Sequence, residues 1–285
     1  MTVYLNGKFM PIAEAYIPVL DRGFIFGDGV YEVIPVYSKR AFRLAEHLKR
    51  LQSSLDGIRL PNPHNEAEWT KLINELIARN PSEDQYLYLH ITRGVAKRDH
   101  AFPQPAVTPT VFMMSSPLQH PPAELLKTGV SAVTAIDNRW LRCDIKAISL
   151  LPNVLLRQQA VDAGCAETIL IRDDSFMTEG AASNIFVVKN GTLLAPPKDN
   201  LMLPGITYDV ILELAAADSI PVQVRKIAKA EIFSADELLL TSSTREVLPI
   251  TLVDGKSVGS GKPGEMFSLL HTLYQNFKRD VMRQP

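Results

Sequence analysis

At 285 residues the chain has room for one large or two smaller domains with sizeable cores, and two are expected. Its 30 basic and 31 acidic residues leave a net charge of −1, which excludes the electrostatic footprint of a nucleic-acid or anionic-membrane binder and favours small-molecule chemistry. No stretch approaches the ~20 apolar residues of a membrane span, and Met1 to Gly7 lacks a basic region followed by an apolar run, so a cytoplasmic protein is expected. Two cysteines, Cys143 and Cys165, and six histidines without ligand spacing give neither a disulfide framework nor a metal motif; no metal is expected.

Val3 to Leu5 and Lys8 to Pro11 flank Asn6-Gly7, a pair suited to a tight hairpin turn, so the chain opens with two strands. Gly23, Gly27 and Gly29 then break the chain before the β-branched and aromatic strand Val30 to Tyr37, without a dinucleotide or P-loop spacing. Leu44, Leu48, Leu51 and Leu55 recur at helical intervals, which leaves His47, Lys49 and Arg50 on other faces. By periodicity alone Arg50 is a solvated cation. A second helix is expected over Glu66 to Ala78, then a strand over Gln85 to Thr92 and a loop from Val95 to Pro105. In that loop Arg98 and His100 stand two positions apart, so an extended backbone would project both to one side, where a forked donor and a second donor could clamp a carboxylate. An exposed polar loop is the commoner meaning of such a pair. A strand at Thr110 to Met114 and a Ser-Pro-rich run to Pro122 place the boundary: a first domain at 1–116, a linker at 117–122 and a second domain at 123–285.

After a strand near Gly129 to Ile136, the stretch Arg139 to Leu150 delivers Lys146 between Ile145, Ala147 and Ile148. An ammonium kept from water has its pKa lowered, which makes a nucleophilic amine available for carbonyl chemistry. Most lysines in such surroundings instead extend to solvent from an edge. A helix over Asn153 to Ala163, ended by Gly164, leads to strands at Glu167 to Ile171, Ile185 to Val188 and Thr192 to Ala195. Between the first two of these lies Met177-Thr178-Glu179-Gly180-Ala181-Ala182-Ser183-Asn184, an acid followed by small residues. Glu179 could hold a protonated ring nitrogen; in isolation it is a strand-end acid. Leu203-Pro204-Gly205-Ile206-Thr207 precedes an apolar helix with Thr207 placed as its N-cap, an end whose amides can hold a phosphate. A strand at Glu237 to Leu240 runs into Thr241-Ser242-Ser243-Thr244, four hydroxyls that could donate to the same group. Asp254-Gly255 marks a late hairpin and Glu265 to Phe277 a closing helix, so the fold class is α+β with two domains.

In order along nearly the whole chain, Asp21-Arg22-Gly23, Phe26-Gly27-Asp28-Gly29-Val30-Tyr31-Glu32-Val33, Arg139 to Lys146, Thr178-Glu179-Gly180 with Ser183-Asn184, and Gly205-Ile206-Thr207 resemble the fold-type IV pyridoxal-phosphate enzymes. Arg93-Gly94 with Arg98-Asp99-His100 and Phe102-Pro103 is similar to the substrate-carboxylate loop of that family's D-amino-acid aminotransferase branch. The resemblance implies a smaller α/β N-terminal domain, a larger C-terminal pseudo-barrel domain, and pyridoxal 5'-phosphate as cofactor. It implies that Lys146 is the Schiff-base lysine, that Glu179 pairs with the pyridine nitrogen, and that Arg50, Ile206, Thr207, Ser243 and the neighbouring Ser242 contact the phosphate. Tyr31, Arg98 and His100 would trap the substrate carboxylate, the last two reaching in from the partner subunit of a homodimer. The implied reaction is ping-pong transamination between D-amino acids and 2-oxo acids. The alternatives are an (R)-selective amine or branched-chain L-amino-acid aminotransferase, a lyase on the same cofactor, or a silent binding module.

Overall fold

The computed structural model describes residues 1–283. The chain divides into two compact units, Met1–Gln119 with Ile145–Leu150 in the first, and His120–Asp144 with 151 to 283 in the second.

In the first unit, strands β1 (Thr2–Leu5) and β2 (Lys8–Pro11) turn at Asn6 and Gly7, both at positive φ. A five-residue helix, α1 (Arg22–Phe26), follows where only glycine breaks were expected. Asp21 caps it by accepting from the Gly23 amide, and Gly27 in the left-handed region ends it. Then come β3 (Gly29–Tyr37), β4 (Arg40–Ala41), helices α2 (Leu44–Gly57) and α3 (Glu66–Arg79), and strands β5 (Gln85–Thr92) and β6 (Thr110–Pro117). Asn65 starts α3 with a capping box, accepting from the Glu68 amide while the Glu68 side chain accepts from its own. All strand pairs are antiparallel, in the order β2-β1-β6-β5-β3-β4. The strand expected to end at Met114 runs on to Pro117, with Ser115 and Ser116 paired with Leu87 and Tyr86.

The core of this unit combines Ile34, Leu87, Leu89 and Ile91 of the sheet with Leu48, Leu51 and Leu55 of α2 and Trp69, Ile73, Leu76 and Ile77 of α3. The same helix α2 also buries His47, Arg50 and Ser54, so the helix that packs the core presents polar groups beside it.

The second unit contains α4 (Ala123–Thr128), β7 (Val130–Ile136), α5 (Leu151–Asp162), β8 (Glu167–Arg172), β9 (Phe176–Gly180), β10 (Asn184–Lys189), β11 (Thr192–Ala195) and α6 (Ile206–Ala217). It continues with β12 (Val222–Val224), β13 (Ile227–Ala228), α7 (Lys229–Phe233), β14 (Glu237–Ser242), β15 (Glu246–Val253), β16 (Lys256–Ser257) and α8 (Glu265–Phe277). The sheet runs β12-β11-β10-β14-β15-β7-β8-β9-β13, with β16 beside β15. Its apolar core gathers Ile169, Ile171, Ile185, Val187, Leu238 and Leu240. The short pieces α4, α7, β12 and β13 were not anticipated, because each is too short to carry a period of its own, whereas β16 pairs with β15 across the expected Asp254-Gly255 hairpin. No helix among the described residues is long and apolar enough to cross a membrane.

Leu51 is fully buried between α2 and the first sheet. Replacement by alanine leaves a cavity as well as removing apolar contact, so Leu51→Ala is expected to cost about 2–5 kcal/mol. Urea unfolding should show a lower midpoint with an unchanged slope.

Candidate active site

Lys146 is placed by its backbone. The upper edge of β3 is free of β4, which pairs only with Val36 and Tyr37, and residues 146–148 fill it. The Tyr31 amide donates to the Lys146 carbonyl (3.0 Å) and the Ile148 amide to the Gly29 carbonyl (3.1 Å). The Lys146 amide donates to Ser54 Oγ on α2 (3.1 Å). With Ile145 and Ala147 buried in the core, extended alternation turns Lys146 the other way, and its Nζ stands 4.1 Å from the centre of the Tyr31 ring.

Tyr31 belongs to a polar strip on the same sheet. Its ring centre lies 5.7 Å from that of Tyr88, whose hydroxyl is 2.8 Å from His90 Nδ1. Burial and the neighbouring Tyr31 push the Tyr88 hydroxyl up to about 12, so it remains a neutral donor. Tyr88 and His90 were not singled out from sequence. Their signal was the alternation of Tyr86, Tyr88 and His90 against the buried Leu87, Leu89 and Ile91.

Arg50, read from periodicity as solvated, is buried. Its Nε and Nη2 donate to Glu32 Oε1 and Oε2 at 2.8 and 2.7 Å, and His47 Nδ1 lies 2.8 Å from Oε2. Burial would raise the Glu32 pKa, but the charge and hydrogen bonds of Arg50, with those of His47, hold it far below the usual carboxylate range. Burial in turn lowers the His47 pKa, so a neutral ring donates from Nδ1 and keeps a bare Nε2, which is buried without a hydrogen-bond partner among the described residues.

Arg98 and His100 are exposed, on a loop anchored through its backbone. Arg22 Nη1 donates to the carbonyls of Asp99 (2.6 Å) and Ala101 (3.2 Å), while its Nε pairs with Asp28 at 2.7 Å. Arg93 grips the same carboxylate from Nε and Nη2 at 2.8 and 3.0 Å. The Phe26 ring lies 5.3 Å from the His100 ring and 5.4 Å from the Arg98 guanidinium. Asp99 turns to its own backbone, where Oδ1 accepts from the Ala101 amide (3.0 Å).

In the second unit Glu179 sits buried on β9. Its Oε1 accepts from Arg139 Nη1 (2.5 Å) and the Leu203 amide (3.2 Å), and its Oε2 from Asn184 Nδ2 (3.3 Å). Burial pushes its pKa up to about 7, against the opposing charge and hydrogen bond of Arg139. Arg139 is in turn held by Asp137, from Nε and Nη2 at 2.9 Å each. A buried acid so incompletely compensated is suited to receive a cation.

Next to it begins α6. Its N-cap is Gly205 rather than Thr207, and Asn184 Oδ1 leaves no room for a Cβ at that position. Thr207 is therefore inside the first turn, behind Ile206, and its Oγ1 is buried with no hydrogen-bond partner among the described residues. The same is true of Thr241 Oγ1. Thr241 is the register partner of Asn184, so their side chains share a face of the sheet, and the Asn184 side chain abuts Gly205. A buried hydroxyl inside the first turn of a twelve-residue helix, with a second on the sheet face that carries Asn184, could donate to an anion such as phosphate. Of the expected hydroxyls, Ser242 accepts from the Arg245 amide (3.2 Å), and Ser243 is half-buried in the turn between β14 and β15. Thr241, one residue earlier, was named within the hydroxyl run but not chosen; its place as the last buried residue of the strand was the available signal.

The model of the amino-transferase class IV family matches residues 29–253. The chain belongs to the class IV aminotransferases. It is 42% identical over 276 residues to the D-alanine aminotransferase of Bacillus licheniformis, covering 97% of this chain and 96% of that protein. A D-alanine aminotransferase of Staphylococcus epidermidis is 38% identical, covering 98% and 97% of the two chains. Among solved structures, a T.th. branched-chain amino acid aminotransferase with pyridoxamine 5'-phosphate superposes with a TM-score of 0.90 at 26% identity, covering 100% of this chain and 95% of that one. The branched-chain amino acid aminotransferase from Escherichia coli gives 0.89 at 25%, with the same coverage. These likenesses bear out the family, the two-domain α+β fold and the transaminase class read from the sequence motifs.

In this class IV aminotransferase the buried Glu179 sets a pH dependence of its own. Its pKa in the fold, about 7, lies above the ordinary 4.5, so the fold disfavours the ionised form. The stability linked to this group is complete below the ordinary value and is lost as pH rises through the folded one. Relative to Glu179→Gln, the ligand-free wild type should lose about 3 kcal/mol across that window. Urea titrations of both proteins at several pH values measure it, and parallel pH profiles would contradict it.

Proposed function

We propose that the protein transfers the amino group of D-amino acids, D-alanine among them, to 2-oxo acids such as 2-oxoglutarate, with pyridoxal 5'-phosphate as cofactor. The observation that carries this reading is identity of 36–42% to proteins named D-alanine aminotransferase, against 25–26% to the branched-chain enzymes cited above. The match extends over 97% of the chain, and the loop of Arg98 and His100 is where the stereochemical choice would be made.

The residues fit the cofactor. Lys146 supplies an amine on a fixed backbone, Glu179 a buried acid with spare affinity for a cation, and Thr207 with Thr241 the available hydroxyls for a phosphate. When bound, pyridoxal 5'-phosphate supplies an aldehyde for the amine and a conjugated ring that takes up electrons from the substrate Cα. Lys146 would anchor it covalently and, once displaced by substrate, take the proton from Cα through Nζ. Glu179 would hold the proton on the ring nitrogen. Ile206 and Thr207 would present first-turn amides to the phosphate, joined by the hydroxyls of Thr207, Thr241, Ser242 and Ser243 and by Arg50, which Glu32 orients.

Tyr31, Arg98 and His100 are assigned to the substrate carboxylate. With that end fixed, one enantiomer alone directs its Cα hydrogen to the lysine. The exposure of Arg98 and His100 supports a homodimer in which each loop serves the partner subunit. The two free cysteines, Cys143 and Cys165, suit the reducing cytoplasm.

Half-reactions test the substrate assignment. D-Alanine should discharge the visible absorbance of the cofactor-loaded protein, whereas L-leucine and (R)-1-phenylethylamine should leave it; reaction with either of those alone would overturn it. Lys146→Ala should retain cofactor non-covalently and lose transamination by at least about a thousandfold, as expected when a nucleophile and proton carrier is removed. Turnover at the wild-type rate in that variant would exclude the assigned role of Lys146.

A further inference from the structure

The buried charges behind Glu179 outnumber what a single acid requires. Arg139 spends one edge of its guanidinium on Asp137, with Nε and Nη2 each 2.9 Å from a carboxylate oxygen, and leaves Nη1 for Glu179. Asp137 also accepts from the Arg139 amide (3.2 Å) and from Thr178 Oγ1 (2.8 Å), and Arg172 Nη2 lies 3.1 Å from it. Arg172 and Thr178 come from adjacent strands, β8 and β9, and Asp137 follows β7, so three neighbouring strands converge on one carboxylate. Asp137, Arg139, Arg172 and Glu179 are all buried.

We propose that Asp137 is a positioning residue that divides Arg139 between two acids, leaving Glu179 too weakly paired to be satisfied by protein alone and so retentive of a proton shared with a ring nitrogen. This rests on the assignment of Glu179 to the cofactor's ring.

The charge count explains the need. With Glu179 ionised, two arginines and two acids sum to zero, and a protonated ring brings the total to +1. Without Asp137 the same ring would meet an unshared Arg139 and the uncompensated Arg172, raising the total to +2. Each uncompensated buried positive charge disfavours a neighbouring cation. Directions within the cluster agree. Burial would lower the Arg139 pKa, but hydrogen bonds to Asp137 and the charges of Glu179 and Asp137 hold it well above the usual guanidinium range. Burial would raise that of Asp137, yet Arg139, Thr178 and Arg172 hold it below the carboxylate range. Of the two acids it is Glu179 that moves up, with Asp137 contributing to the rise. Cys143, the remaining titratable neighbour of Arg139, is pushed up to about 11 by burial and stays a neutral thiol. Asn184 and the Leu203 amide add only neutral donors to Glu179.

Two substitutions of opposite sign test the idea. Asp137→Asn raises the cluster's charge by one and frees Arg139 for Glu179; Arg172→Gln lowers the charge by one without touching Glu179. In ligand-free protein carrying 13C-labelled glutamate carboxyls, Asp137→Asn should lower the Glu179 titration midpoint by about one pH unit or more, and Arg172→Gln should raise it. In protein loaded with 15N-labelled pyridoxal phosphate, the ring nitrogen of Asp137→Asn should lose its proton at lower pH than wild type. For this variant kcat should fall about tenfold per unit shift, while KM for D-alanine changes less than about threefold. The double variant should return both midpoints towards wild type, which a loss of packing would not do. If Asp137→Asn fails to fold, the upward shift in Arg172→Gln still decides. Midpoints equal to wild type in the foldable variants, or shifts of the same sign in both, would overturn the proposal. Glu179→Gln distinguishes the two claims: an unchanged ring nitrogen in that variant defeats the role of Glu179 itself, whereas a shifted ring nitrogen with unresponsive Asp137 and Arg172 variants defeats only the role of Asp137.

Discussion

The placement of Lys146 in the first unit depends on one open strand edge. Because β4 is two residues long, the Gly29 to Tyr31 end of β3 has β5 on one side and peptide groups open to a further partner on the other. Those groups must be satisfied, and residues 146–148 do so from far along the chain. The lysine thereby loses backbone freedom before any ligand arrives, and its direction follows from burial of Ile145 and Ala147. Gly29 is required in the same strand, since a Cβ there would collide with the Ile91 carbonyl oxygen. The amine proposed to react is thus positioned by sheet hydrogen bonding, the most rigid resource the unit has.

Two buried glutamates then show how the donor set decides a carboxylate's use. Glu32 receives two hydrogen bonds from Arg50 and faces His47, and its pKa falls. It is saturated, and serves to orient Arg50. Glu179 receives one bond from a guanidinium already committed to Asp137, and its pKa rises to about 7. The two acids are chemically identical and buried alike; the share of an arginine that each obtains separates a structural anchor from a group with affinity to spare.

How much of this was legible beforehand follows from the range of each interaction. Periodicity carried the long helices, since Leu44, Leu48, Leu51 and Leu55 specify a face and the run from Glu66 a second helix. It could not carry α1, whose five residues are stabilised by Asp21 and by Gly27 rather than by a pattern. Thr207 looked like an N-cap by residue type, but tight contact between Gly205 and Asn184 accompanies a cap two residues earlier, a tertiary effect. Lys146 was suggested by its apolar neighbours and Glu179 by the small residues after it, and the ordered set of motifs gave both their weight. Periodicity read Arg50 as solvated because its partner Glu32 lies on a strand, and the pairing of a helix cation with a strand acid leaves no trace in either period. Asp137 was invisible for the same reason.

The loop carrying Arg98 and His100 completes the logic by avoiding burial. Its carbonyls at Asp99 and Ala101 are fixed by Arg22, which is itself locked to Asp28, so the backbone is held by a buried network while the two side chains stay in water against Phe26. An exposed cation costs little until a ligand displaces its hydration, so this arrangement stores no desolvation penalty in the resting chain. Glu179 requires the opposite treatment, because an acid left in water would be satisfied by solvent and have no surplus affinity. The group proposed to face the ring is therefore buried and under-paired, while Arg98 and His100, proposed to face the substrate, are exposed on a pre-positioned backbone. Under the proposed assignment, each placement matches whether the group's ligand stays through turnover or must leave with every cycle.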